Sequence, residues 1–427
     1  MAESGLPLSL VLYRAATGAF EPFARGLLRK RALDGKEDGA RLEERLGSAA
    51  VPRPSGPLVW LHAVSVGESQ SALPLIERLA ARPGLTVLVT SGTVTSAALL
   101  ARRLPPGAIH QYAPLDTPAS AARFLEYWRP DLAVFIESEI WPNLILGAKA
   151  RGARLALLSA RITRKTARGW ARIAAGARRV LAAFDLVLPQ DEASAERLAY
   201  FGVETTGRLN LKLAGEPLPC DATELDRLRA AIGDRPVVLA ASTHEGEESI
   251  VATAAMTAIR EAAPHALLIV APRHPERGAS AAAAIGQGYG PLARRSLGEA
   301  VGPRTAVYVA DTLGELGLFF RLADVVVMGG SFVPGVGGHN PMEPARLAAP
   351  VISGPDVYNS AEVYAAMTKE GRGALLVDGP GQLSTTLARL LADPAEAKAL
   401  GLRGQAFAQG QAAALEDAWT RLEALLP

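Results

Sequence analysis

Between Leu58 and Leu188 short apolar runs alternate with stretches in which apolar residues recur every three or four positions. The short runs read as buried strands and the longer periodic stretches as amphipathic helices. Strands are expected at Leu58–Val64, Thr86–Thr90, Leu132–Ile136, Leu155–Leu158 and Leu186–Leu188, with helices beginning after Glu68, Thr93, Pro118, Pro142 and Asp191. That rhythm predicts an α/β fold, a parallel sheet covered on both faces. It weakens between Val203 and Pro236. It then restarts with expected strands at Val237–Ala241, Leu267–Ala271, Ala306–Val309, Val325–Met328 and Ala374–Val377. Two sheet domains joined near residues 206–220 follow, and ligands are expected at the carboxyl ends of the strands, in a crevice between the domains. Asp34–Pro57, charged and then rich in Pro, Gly and Ser, reads as a connector, and the closing helical stretch Leu402–Leu425 has packing as its role.

The N-terminus has a different texture. Leu6–Leu28 is apolar but interrupted by Arg14, Glu21 and Arg25, and it ends in Arg29, Lys30 and Arg31. Leu12, Ala16, Phe20, Phe23 and Leu27 keep a helical spacing, with a kink expected at Pro22. An amphipathic helix bounded by cations suits an anionic membrane surface; docking on its own domain is the alternative. The segment lacks the early positive charge and cleavage site of a signal peptide.

Composition narrows the function. The chain has 427 residues, 49% of them hydrophobic, which is enough for two domains with their own cores. A formal charge of +2 without a concentrated basic element argues against a nucleic-acid binder. The single cysteine, Cys220, excludes an intrachain disulfide framework and a multi-cysteine zinc site, and suits a reducing compartment.

Candidate chemistry gathers at the expected strand ends. The run Gly329–Ala345, GGSFVPGVGGHNPMEPA, follows a strand and enters a helix near Pro341. Its glycines, Gly337 and Gly338 among them, permit close backbone approach to a phosphate, while Asn340 and Glu343 suit a nucleotide or its ribose hydroxyls. It is neither a P-loop nor a GxGxxG fingerprint, and a tight structural loop is the plainer reading. Ser242 and Thr243 suit helix capping, phosphate contact, or both; His244 and Glu247 lack the HExxH spacing of a metal site. Arg273 and His274, flanked by prolines, suit an anion, and Asp311, Thr312, Gly314 and Glu315 open another helix in the same manner. In the first domain, Ser65, Gly67, Glu68 and Ser69 end the leading strand, and Glu68 fits either a general base or a helix-start carboxylate. Glu137 and Glu139, with Arg161 and Lys212 at neighbouring ends, mix carboxylates and cations as a polyhydroxylated anionic acceptor requires.

The stretches HAVSVGES, ESEIWPNL, SARIT, QDEASAERL, STHEGEE, PRHPER, DTLGEL and GGHNPMEPA, in this order through nearly the whole chain, resemble the 3-deoxy-D-manno-octulosonic acid (Kdo) transferases of Gram-negative bacteria. The resemblance implies a GT-B arrangement, two Rossmann-like domains facing across a deep cleft. Its boundaries would be an N-terminal membrane-associating helix over 1–33, an acceptor domain over 34–205, a connector over 206–220 and a CMP-sugar domain over 221–427. It implies inverting, metal-independent transfer of Kdo from CMP-Kdo to the lipid A precursor at the cytoplasmic face of the inner membrane, with no cofactor and no nucleic acid partner. Glu68 matches the family's general base and Arg273 its donor-phosphate contact. Where the family carries a GNLKFD-like segment, Gly207–Ala214 reads GRLNLKLA and lacks the final acidic residue, a departure that bears on the acceptor side. A transferase or epimerase using another nucleotide sugar, such as a UDP-sugar, and a membrane-associated sugar-nucleotide binder without catalysis are the competing readings. The sequence leaves oligomeric state and the number of Kdo residues transferred open.

Overall fold

A computed structural model describes residues 5–286, 288–371 and 373–427; residues 1–4 of the expected N-terminal segment lie outside them. The chain divides into two compact units, residues 1–215 with 413–427, and residues 216–412.

The first unit is built on a six-stranded parallel sheet: β1 (Leu58–His62), β2 (Thr86–Ser91), β3 (Ala108–Tyr112), β4 (Leu132–Ile136), β5 (Arg154–Ala160) and β6 (Leu186–Pro189). Their spatial order is β3-β2-β1-β4-β5-β6, the doubly wound order whose direction reverses between β1 and β4. Every residue of β1 is buried, which explains its unbroken apolar run. Leu58 and Trp60 pack with Phe124, Trp128 and Phe135 on one face, and Val59 and Leu61 with Ala72, Ile76 and Val134 on the other. This period-two division, with helices on both sides, fixes which strand ends present their loops together.

In the second unit β7 (Val237–Thr243), β8 (Leu267–Pro272), β9 (Leu292–Arg294), β10 (Val307–Val309), β11 (Val325–Met328), β12 (Val351–Ser353) and β13 (Ala374–Leu376) form a seven-stranded parallel sheet. The order is β13-β12-β11-β7-β8-β10-β9, so the reversal lies between β7 and β11. Four of the expected strand ends therefore meet in pairs at the two reversals.

Several expectations need correction. The residues 34–57 are no loose connector: Asp38 caps a short turn, and the buried Glu44 accepts hydrogen bonds from the Tyr112 amide at 2.7 Å and from Arg41. The N-terminal helix Leu8–Leu33 runs on through Pro22. The closing helix Pro394–Glu423 begins earlier than expected, and its last part groups with the first unit, where Leu415, Ala418 and Leu422 join the sheet's core. The helix after β1 starts at Val66, before Glu68.

Candidate functional site

At the first reversal, β1 delivers Ser65 as the N-cap of the helix Val66–Ala80. The Glu68 amide donates to Ser65 Oγ at 3.3 Å, while Glu68 Oε1 accepts from Ser65 Oγ at 2.7 Å and Oε2 from the Val64 amide at 2.8 Å. This is a capping box, so Glu68 does stabilise the helix start. Each carboxylate oxygen keeps a further lone pair, so the cap and a role as base are compatible. Burial raises the Glu68 pKa above the usual carboxylate value; hydrogen bonds from Ser65 and Val64 work against that, and the Glu137 charge adds to it.

Two neighbouring candidates have structural duties instead. Ser69 is buried, with its hydroxyl directed at the Ala63 carbonyl, 3.4 Å away, so it does not face an acceptor. Gly67 has ordinary helical geometry and open space where a side chain would be, so the turn does not require a glycine there.

The end of β4 brings two more carboxylates. Glu137 holds a left-handed backbone, φ 58°, and its Oε1 pairs with Lys212 Nζ at 2.8 Å. Lys212 reaches it because Leu209 and Leu211 are buried and the Leu211 amide donates to Ser159 Oγ, which turns GRLNLKLA across the strand ends. Glu139 Oε2 accepts from Trp141 Nε1 at 2.7 Å. Its pKa is pushed up to about 7, first by burial, then by the Glu68 charge, with the Trp141 bond opposing and Glu137 adding a little. Arg161 stands half-buried at the end of β5, its amide 3.4 Å from the Glu137 carbonyl.

His62, at the end of β1, was not among the expected site residues. It is buried, its Nδ1 lies 2.8 Å from Thr90 Oγ1, and its Nε2 has no hydrogen-bond partner but faces Glu139 Oε2 at 3.9 Å. Burial, with Arg45 nearby, lowers its pKa to about 3, so it is neutral. A lone histidine ending an otherwise apolar strand run was the available signal.

At the second reversal, β7 ends in Ser242, with φ 59°, and Thr243. Neither caps the next helix: Gly246, with φ 84°, occupies the N-cap of Glu247–Ala262. Thr243 is buried and its hydroxyl has no hydrogen-bond partner in the structure. Glu247, weighed only beside His244 as a metal pair, is the organising residue of the glycine-rich run. Its fully buried carboxylate accepts from the amides of Gly330 at 2.7 Å, Ser331 at 3.0 Å, Phe332 at 2.9 Å and His244 at 3.1 Å. The leading amides of that run are therefore occupied by a protein carboxylate and are not the phosphate cradle expected of them.

Further along, Gly337 has φ 85° and a Cβ there would lie 2.6 Å from the Tyr358 ring, while the Gly338 amide donates to the Gly330 carbonyl at 2.7 Å. Both glycines shape the loop. Asn340 Oδ1 accepts from the Met342 amide at 3.0 Å, at the start of the short helix bearing Glu343. Glu343 has its pKa raised by burial, against the pull of Arg346 and Arg273.

Arg273 and His274 stand exposed at the end of β8. The group after β10 is committed elsewhere. Asp311 takes two hydrogen bonds from Arg294 and two from Ser296, and Thr312 donates to Glu315, which pairs with Arg295. These bonds fix the loop around Gly314 rather than offering free donors to a ligand. The residues brought together at this reversal are thus His244, Arg273, His274, His339, Asn340 and Glu343, with electrostatic coupling from Arg273 to His244, His339 and Glu343.

Comparison with known proteins agrees with this arrangement. Residues 40–214 match the family model described as 3-Deoxy-D-manno-octulosonic-acid transferase (kdotransferase). The chain is 36% identical over 388 residues to the 3-deoxy-D-manno-octulosonic acid transferase of Bordetella pertussis, covering 88% of this chain and 89% of that protein. It is 35% identical over 366 residues to a probable mitochondrial 3-deoxy-D-manno-octulosonic acid transferase of Arabidopsis thaliana, covering 83% and 82%. Among solved structures it is similar to a glycosyltransferase from Rickettsia africae, with TM-score 0.52 and 11% identity, covering 87% of this chain and 99% of that one. It is equally similar to a UDP-GlcNAc 2-epimerase from Neisseria meningitidis, with TM-score 0.52 and 14% identity, covering 86% and 100%. These two likenesses concern the fold, a pair of Rossmann-like domains of the GT-B class. With the relatives aligned over most of its length and the motifs falling at both sheet reversals, the chain belongs to the 3-deoxy-D-manno-octulosonic acid transferase family.

Proposed function

We propose that this enzyme transfers Kdo from CMP-Kdo to a lipid A precursor, a tetra-acylated disaccharide, inverting the anomeric carbon and releasing CMP. The observation that carries this reading is the division of chemistry between the two reversals: carboxylates Glu68 and Glu139 at one, and Arg273 with three imidazoles at the other. A carboxylate whose pKa is raised by burial is suited to take a proton from an acceptor hydroxyl. Arg273 supplies positive charge to the departing phosphate, so no metal ion is invoked. Asn340 and Glu343 hold the nucleotide or its ribose, and Lys212, fixed against Glu137, stands with Ser65, Glu139 and Arg161 on the acceptor side.

The same reading places the enzyme on the cytoplasmic face of the inner membrane. In the helix Leu8–Leu33, Leu8, Leu12, Phe20, Phe23 and Leu27 are exposed, with Phe23 at 71%. The opposite face is pinned to the domain: Tyr13 donates to Asp116 at 2.8 Å, and Leu10, Ala24 and Leu28 are buried. Docking and an outward apolar stripe are thus simultaneous properties of one helix. No helix among the described residues is long and apolar enough to cross a membrane, so the stripe is proposed to lie in the interface.

Mass analysis of products after incubation with CMP-Kdo and the lipid acceptor tests donor, acceptor and number of transfers together. Glu68→Gln should keep CMP affinity and lose roughly 100-fold or more in turnover. Turnover near that of the parent enzyme removes Glu68 from the role of base.

A further inference from the structure

The fold brings His244 and His339 together from distant parts of the sequence. His244 follows β7 and His339 lies in the loop after β11, the two strands flanking the reversal. Their Nε2 atoms are 2.9 Å apart, with rings nearly parallel at 12° and centroids separated by 5.1 Å. We propose that His244 is a further catalytic residue, the group that gives a proton to the donor's departing phosphate, and that His339 is the positioning residue that fixes its tautomer. The proposal rests on the reading that the donor is a CMP-linked sugar acid.

Two ring nitrogens at this separation need one proton between them: none leaves lone pairs opposed, and two set N–H against N–H. His339 also makes a hydrogen bond to the Ser242 backbone that favours its protonated form, as a ring N–H donating to a carbonyl does. A neutral ring donating there has a bare Nε2, so His244 supplies the Nε2–H and keeps Nδ1 as its basic position. A second proton on His244 enters at Nδ1 and leaves the bond to His339 intact. A second proton on His339 would break it. The pair therefore directs protonation to His244.

The surroundings make that protonation depend on an anion. Besides His339, His244 faces the His274 ring, whose centroid is 6.0 Å away, together with Arg273 and Arg277 as cations and the carboxylate of Glu247. Burial is the largest cause lowering the His244 pKa, and those cations add to it against Glu247. A phosphate beside Arg273 and His274 offsets the cations and favours the imidazolium. In the reaction, the bond from the anomeric carbon to the phosphate oxygen breaks and the oxygen leaves with the electron pair. The proton from His244 Nδ1 ends on that phosphate. A bond forms from the acceptor oxygen to the anomeric carbon, and the acceptor's hydroxyl proton ends on Glu68. Solvent then returns a proton to His244 and removes one from Glu68, so the cycle closes.

Calorimetric titration of the full-length enzyme with CMP, in two buffers of different ionisation enthalpy, reads the proton directly. Uptake by the parent enzyme that His244→Gln lacks is the expected result. With CMP-Kdo and lipid acceptor, His244→Gln should lower kcat about 100-fold while CMP affinity stays within about threefold. His339→Gln should keep CMP binding and move the alkaline limb of the kcat profile to lower pH. Absence of proton uptake in the parent enzyme, or kcat of His244→Gln within about threefold of it, overturns the catalytic assignment. An unmoved pH profile in His339→Gln overturns the positioning role. If the parent enzyme releases no CMP from CMP-Kdo, the donor reading itself fails and takes this proposal with it; if only the His244 variant behaves as the parent does, the donor reading stands.

Discussion

Replacing Glu247 by alanine should uncouple the glycine-rich loop from the sheet without touching its sequence. The carboxylate accepts four backbone N–H groups, and those of Gly330 and Ser331 lie in fully buried bonds. Leaving a buried donor unsatisfied costs about 1–3 kcal/mol, so these two alone cost about 2–6 kcal/mol, while the partly exposed amides of Phe332 and His244 recover water. For a unit of about 200 residues each kcal/mol moves Tm by about 2–4 °C, so a central cost of about 4 kcal/mol predicts a fall of roughly 8–16 °C. Scanning calorimetry of the full chain should show this in the transition of residues 216–412. CMP affinity should weaken with it, because His339, Asn340 and Glu343 follow from the same loop. Glu247→Gln, which keeps one acceptor oxygen but turns an NH2 group toward donors, should fall between. A fall in Tm below about 3 °C with unchanged CMP affinity would refute the claim that this carboxylate holds the loop.

Glu139 carries a pH signature. Its folded pKa of about 7 lies above the ordinary glutamate value of 4.5, so between those values the folded state binds more protons than the unfolded chain and stability falls as pH rises. Urea unfolding should accordingly show Glu139→Gln stabilising the first unit more at pH 8 than at pH 5. Gly278→Ala drives a Cβ into the Asp311 carboxylate, against its bonds to Arg294 and Ser296, and should lower the urea midpoint by an amount equivalent to about 2 kcal/mol. Phe23→Glu should reduce sedimentation with anionic vesicles while leaving thermal stability within about 0.5 kcal/mol, since the side chain is exposed.

The buried strands were legible because a sheet covered on both faces demands apolar residues at every position, as in LVWLH at β1 and VVVM at β11. Three strands were not. β3 lies at the sheet edge and reads AIHQY, with polar residues breaking the run; β9 is an edge strand reading LAR with only Ala293 buried, and in β12 the apolar run is just Val351 and Ile352, between Pro350 and Ser353. At the site, motif position located Glu68, Arg273 and Glu343, because loops at strand ends are set by local sequence. The role of Glu247 was not legible because three of its four partners lie 83 to 85 residues away, and a carboxylate that satisfies backbone amides leaves no side-chain pattern. The commitment of Asp311 to Arg294 and Ser296 is likewise a contact between loops that no spacing rule anticipates.

Asp116 joins two parts of the first unit that could be mistaken for independent pieces. One of its oxygens takes the Tyr13 hydroxyl and the Asn143 amide, the other takes the Leu144 amide, and Asn143 also donates to Thr17 Oγ1 in the N-terminal helix. The helix beginning at Pro142 follows directly on the loop that carries Glu139 and Trp141. A shortened protein, cut at Leu33 to ease purification, would lose those tethers and uncover the core contacts of Ala24 and Leu28. Any inactivity it showed would mix a displaced Glu139 with loss of the proposed lipid contact, so the exposed apolar stripe is better silenced by surface substitutions than by the knife.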